Sequence, residues 1–159
     1  MQPDKAIDIQ TKTVLTYGTF DTLHYGHIEF LKRAASYGGK LIVFVSTDEF
    51  NELSKGKKAV LPYEKRRELV GWIKNVDKVL PEKDWAQKPS DIFTYGANVV
   101  VFGSDWEGEF DYLKSYGVDV VYLPRTPGIS STMIREKQSG NGKMEKAEED
   151  GQSDTVEAG

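Results

Sequence analysis

Short runs of nearly continuous apolar residues alternate along this chain with stretches whose apolar positions recur every three or four residues. The runs are TVLTY (13–17), KLIVFVS (40–46), VDKVLP (76–81), ANVVVFG (97–103) and VDVVYLP (118–124). Continuous apolarity, rather than strict alternation, is what a strand covered on both faces requires. Between the runs, 26–37 places Ile28, Leu31 and Ala35 at helical spacing beside Phe30 and Ala34, and 63–74 does the same with Leu69, Val70 and Ile73. PYEKRREL opens the second of these with a proline near the first turn, a helix-start signal. Strand–helix alternation repeated this often predicts an α/β fold of Rossmann-like type, three layers deep, with a parallel sheet and helices on both faces.

The pattern stops at both ends. Residues 1–12 read as a short polar leader, 13–136 as one folded domain, and 137–159 as an acidic tail. The tail has no aromatic residue and sets three lysines against six acidic residues, so it holds net −3 of the chain's −4. It cannot bury enough apolar surface to offset the entropy of ordering, and the expectation is disorder. The remainder is nearly neutral, which argues against a general nucleic-acid binder. The absence of cysteine excludes a disulfide framework or a thiolate metal site. No stretch has the apolar length of a membrane span and the amino terminus carries no apolar run, so the expected location is the cytoplasm, with no membrane partner.

Ligands of open α/β sheets lie beyond the carboxyl ends of the strands, and the unusual residues of this chain sit in the segments that follow the runs. The first is GTFDTLHYGH (18–27), which contains both histidines of the protein, His24 and His27. Gly18 permits a close backbone turn after the strand, and Thr19 and Phe20 then present main-chain N–H groups. If a helix starts near His24, both rings project from its first turn, where unpaired N–H groups and the helix dipole favour an anion. Two imidazoles there can grip a phosphate, and Gly26 leaves the backbone open to it. Zinc held by the two histidines and Asp21 is the weaker alternative, since two histidines alone make a poor site.

The segment RTPGISST (125–132) offers a second cradle. Arg125 follows a strand, and Ser130, Ser131 and Thr132 stand where a helix would begin. STDEFNELSKGKKA reads as a loop made flexible by Gly56, carrying Lys55, Lys57 and Lys58 to a triphosphate; a solvated charge run is the plain alternative. Of Arg66 and Arg67, one is expected to face solvent. In GSDWEGEF, Asp105 at a strand end suits a sugar hydroxyl or Mg²⁺, and Trp106 suits simple packing.

Taken together, GTFDTLHYGH resembles the G-T-F-D-x-x-H-x-G-H signature of the cytidylyltransferases, within the HxGH nucleotidyltransferase superfamily, and RTPGISST resembles their R-T-x-G-I-S-T-T signature. STDEFN, YEKRRELV, VDKVLPEKDWAQK and GSDWEGEFDYLK are similar to the glycerol-3-phosphate branch of that family, and the likeness runs from about Thr13 to Arg135. The resemblance implies cytidylyl transfer from CTP to sn-glycerol 3-phosphate with Mg²⁺ accompanying the nucleotide, and a homodimer. CDP-glycerol would feed teichoic-acid-like polymers or a capsule. It implies catalytic roles for His24, His27, Lys57 and Arg125. It also implies CTP contacts from Thr19, Phe20, His24, His27, Lys57, Asp105, Arg125, Thr126, Gly128, Ile129, Ser130, Ser131 and Thr132. Acceptor contacts fall to Lys55 and Lys88, and no protein metal ligand is implied. Ser131 stands where the signature has threonine and keeps the hydroxyl. Three rivals stay open: ethanolamine or ribitol phosphate as acceptor, an adenylyltransferase on the same fold, and a module that binds CTP without turnover.

Overall fold

The computed structural model describes residues 9–125. Five strands form one sheet: β1 (Thr13–Gly18), β2 (Lys40–Ser46), β3 (Lys78–Glu82), β4 (Val99–Gly103) and β5 (Asp119–Leu123). They lie in the order β3-β2-β1-β4-β5 and every pairing is parallel. Thr16 of the central strand pairs Val43 on one side and Val101 on the other. The helices are α1 (Tyr25–Ala35), α2 (Asp48–Lys55), α3 (Tyr63–Gly71) and α4 (Lys88–Tyr95), joined by 3-10 turns at Trp85–Gln87, Ser104–Trp106 and Asp111–Tyr116. The expected parallel sheet with helices on both faces is what forms.

Continuous apolarity in the strands reflects two separate cores. Val14, Leu41, Val43, Val45, Val99 and Val101 point to one face and meet Leu31 and Ala34 of α1 and Val70 of α3. Leu15, Tyr17, Ile42, Phe44, Val100 and Phe102 point to the other and meet Ile92 of α4 with Phe110 and Leu113. Neighbouring residues of a strand face opposite ways, so both sets must be apolar. Burying each such side chain stabilises by about 1.5–3 kcal/mol. No helix among the described residues is long and apolar enough to cross a membrane.

The segment expected to be a flexible loop is helical. STDEFNELSKGKKA contains α2, capped by Thr47, whose Oγ1 accepts from the Phe50 N–H at 3.2 Å. Gly56 does not loosen this segment. At φ 78° it is the left-handed C-cap, and its N–H donates to the Glu52 carbonyl at 2.8 Å. In EKDWAQK, Asp84 caps a 3-10 turn and Lys88 is already the first residue of α4, with Pro89 beside it. The two helices foreseen over 26–37 and 63–74 end earlier, at Ala35 and Gly71.

Candidate active site

In a sheet of this order the chain leaves β1 and β4 in opposite directions, which opens a crevice above their carboxyl ends. Gly18–Phe20 leave β1 there, Ser46 ends β2, Glu82 ends β3, Asp105 and Trp106 follow β4, and Arg125 follows β5.

His24 is not in the first turn of α1 but is its N-cap, with extended backbone at φ −143°. Its ring Nδ1 accepts from the Gly26 N–H at 3.0 Å, while Nδ1 of His27 accepts from the His24 N–H at 3.0 Å. The two rings complete a reciprocal capping box, a role more often taken by Ser or Thr with Glu. Because each Nδ1 is an acceptor, each neutral ring carries its proton on Nε2. The ring centroids are 4.1 Å apart and His27 is only 4% exposed. Backbone geometry thus fixes the tautomer and the aim of two Nε2–H donors at the start of α1. Gly26 commits its N–H to the His24 ring.

The turn before the helix is strained. Phe20 and Thr22 have φ of 52° and 48°, in the left-handed region that costs non-glycine residues about 1–2 kcal/mol each. The Phe20 ring folds back over Gly18, where a Cβ would lie 2.8 Å from it, and sits 5.8 Å from the His27 ring. Gly18 is therefore required by Phe20. The turn is held from beneath by Arg66, which is 0% exposed. Its Nη1 donates to the carbonyls of Thr19 (3.0 Å) and Ser46 (2.8 Å), Nη2 to Asp48 (2.7 Å) and Nε to the Leu61 carbonyl (2.8 Å). Arg67 faces solvent, as expected of one of the pair. Asp21, the candidate third metal ligand, instead accepts from the Val60 and Leu61 N–H groups at 2.6 and 3.0 Å.

Lys55 reaches the same turn: its Nζ lies 3.4 Å from Thr19 Oγ1, which itself donates to buried Asn51 at 3.0 Å. Burial pushes the Lys55 ammonium below the ordinary lysine range; Glu82 opposes the shift, and Lys88 and Arg66 add to it. Lys57 and Lys58 are exposed, and the Lys57 carbonyl is tied to Asn51 Nδ2 at 3.2 Å. These three lysines line one hollow with Thr19, Asp21 and Asn51. Lys88 is 1% exposed. It pairs with Glu82 at 2.9 Å and lies over the rings of Tyr17, Phe110 and Trp85 at 4.6, 4.9 and 5.1 Å. Glu82 also accepts from Ser46 at 3.2 Å; burial pushes its carboxyl up, and Lys88 and Ser46 offset part of that.

Asp105 and Arg125, assigned together to the nucleotide, are in contact at 2.6 Å. Arg33 of α1 donates to the Pro124 carbonyl at 2.6 Å and steadies the exit of β5. Thr126, Gly128, Ile129, Ser130, Ser131 and Thr132, expected at the nucleotide, lie outside the described residues. Arg66, Glu82, Ser46, Asn51 and Trp85 received no site role from the sequence. For Arg66 and Glu82 the misleading signal was charge, which usually marks a surface position. Among the described residues no group of three His, Cys, Asp or Glu side chains could hold a metal ion.

A parallel α/β sheet with paired imidazole donors at a helix start, and with buried Lys88 and half-buried Lys55 over the strand ends, defines a phosphate-handling nucleotide site. The chain belongs to the cytidylyltransferase-like family, whose model matches residues 15–137. It is 54% identical over 129 residues to the glycerol-3-phosphate cytidylyltransferase of Bacillus subtilis (strain 168), covering 81% of this chain and 98% of that one. It is 52% identical over 129 residues to the enzyme of the same name from Staphylococcus aureus (strain NCTC 8325 / PS 47), covering 81% and 96%. At the level of fold, it is similar to the lipopolysaccharide core biosynthesis protein from Thermoplasma volcanium GSS1. That match has a TM-score of 0.59 and 23% identity, over 72% of this chain and 96% of the other.

Proposed function

We propose that the chain transfers a cytidylyl group from CTP to sn-glycerol 3-phosphate, giving CDP-glycerol and pyrophosphate. A phosphate oxygen of the acceptor attacks the α-phosphorus in line. The new P–O bond forms as the bond to the bridging β-phosphate oxygen breaks, and the electron pair leaves with pyrophosphate. The acceptor is already an anion, so no general base is required. Positioning and neutralisation of charge lower the barrier.

The observation that carries this reading is the capping box of His24 and His27, which holds two Nε2–H donors in place before substrate arrives. Donors of this kind, aimed where charge grows on the α-phosphoryl oxygens, are each worth about 10²–10³ in turnover. Lys57 and Arg125 attend the nucleotide phosphates in this reading, with Thr19 and Phe20 at their backbone and Asp105 near the nucleoside. Lys55 and Lys88 serve the acceptor; both line the cleft beside Glu82. Mg²⁺ would enter with the triphosphate, whose oxygens would be its main ligands.

The cytoplasm is the expected location, where CTP and sugar phosphates are made. A homodimer belongs to the same proposal; Trp72, 79% exposed, and Leu69 form apolar surface at the end of α3 that a second copy would cover. The test is a panel of nucleoside triphosphates and acceptors with Mg²⁺, read as pyrophosphate release. CTP with glycerol 3-phosphate should give the highest kcat/KM. Release with ATP instead, or CTP binding with no release under any acceptor, would contradict the reading.

A further inference from the structure

The cleft around Lys88 contains more than a phosphate needs. Lys55, Glu82, Trp85, Lys88, Trp106 and Phe110 are among its lining residues. Lys88 donates to Glu82 and is otherwise enclosed by aromatic rings, so its charge is largely matched inside the protein. Glu82 accepts from Lys88 through Oε2 and from Ser46 through Oε1. An ionised carboxylate has about four accepting positions, so two remain. Trp106 supplies the complement. Its indole Nε1–H is buried and has no hydrogen-bond partner among the described residues. Native structures rarely leave a buried donor unmatched. The ring is packed edge-on against Trp85 at 5.2 Å and tilted against Phe110 at 5.7 Å, which holds it in place. Glu82 and Trp106 thus line one cleft with aromatic walls.

We infer that this cleft reads the hydroxyls of the acceptor: Glu82 accepts from them, the Trp106 indole N–H donates to them, and Lys55 at the mouth meets the phosphate. The inference rests on the reaction proposed above and names what selects its acceptor. A phosphate ester without hydroxyls leaves Glu82 and Trp106 unmatched and dry. A site built to hydrogen-bond a hydroxyl rejects an analogue that lacks it far more strongly than an apolar pocket rejects a lost methylene.

The experiment compares glycerol 3-phosphate with n-propyl phosphate, which keeps three carbons and the phosphate but has no hydroxyl. The readout is the ratio of their kcat/KM values, by pyrophosphate release with CTP. This ratio does not depend on how much of a preparation is active, so partial misfolding does not distort it. The wild-type ratio should be about 10² or more. Glu82→Gln should lower it about tenfold, and Trp106→Phe, which keeps the ring and loses only the N–H, about fivefold. The apparent KM for CTP should stay within twofold in Trp106→Phe. A ratio unchanged in either variant, with wild type still making CDP-glycerol, overturns the inference and leaves the reaction standing. A wild-type chain that makes no CDP-glycerol overturns both.

Discussion

Around His24 and His27 the polar atoms are held by the backbone; around Glu82 and Lys88 they are held by other side chains. Each histidine Nδ1 is matched to a main-chain N–H of the α1 cap, so the rings are aimed by the same bonds that start the helix. In the cleft, Lys88, Glu82 and Ser46 hold one another within aromatic walls. The first arrangement is cheap to build, since it uses N–H groups that every helix start leaves over. The second removes two charges from water and holds only while all its members are present. The contrast teaches where tolerance should lie. Changes at the histidines should cost turnover more than stability, and changes among the buried charges should cost both.

The largest effect is expected where a buried charge supports the histidine turn. Arg66→Met strips donors from the Thr19 and Ser46 carbonyls and from Asp48. It should destabilise the fold by about 3–5 kcal/mol in chemical denaturation. A loss under 1 kcal/mol would show that the strained turn stands without it. Next is His27→Ala, with turnover about 10²–10³ lower and little change in the secondary structure seen by circular dichroism. Activity within tenfold of wild type would remove that ring from the chemistry.

Lys55→Ala comes third. It should raise the acceptor KM about tenfold or more and the CTP KM much less; the reverse pattern in initial rates would reassign this lysine to the nucleotide. The smallest effect is a pH limb. Burial holds the Lys55 ammonium below the ordinary lysine range, so its proton is lost as pH rises through that lowered value. The acceptor phosphate then loses a cation, and acceptor KM should climb at a pH where an ordinary lysine is still charged. Lys55→Arg should flatten that climb, because guanidinium keeps its proton. An unchanged climb in the arginine variant would place the titration elsewhere.

What could be read in the chain follows the same division. The strands were legible because both of their faces are apolar, as in KLIVFVS, and the histidine segment because its glycines and both imidazoles stand together after a strand. Helix α2 was not, since only Phe50 and Asn51 of its eight residues are buried and its amphipathic signal is short. Its caps were nonetheless written there: Thr47 before two acidic residues, and Gly56 after Lys55. Gly56 suggested flexibility because a glycine at a C-cap and a glycine in a loose loop look alike without the helix between. The positive φ of Phe20 was invisible, since aromatic residues seldom adopt it and the compensation comes from Arg66, far along the chain. Lys88 was named through the family resemblance, but its burial with Glu82 was hidden for a related reason: each is buried because the other is, and a pairing between the end of β3 and the start of α4 needs the fold to be seen.

The two-histidine composition of the chain makes its central claim directly measurable. Long-range ¹H–¹⁵N correlation spectra of the imidazoles should contain two rings only. Both should show the tautomer protonated at Nε2, and both Nε2 resonances should shift on addition of CTP and Mg²⁺ while the Nδ1 resonances stay near their free positions. A ring protonated at Nδ1, or Nε2 signals that ignore saturating CTP, would contradict the account.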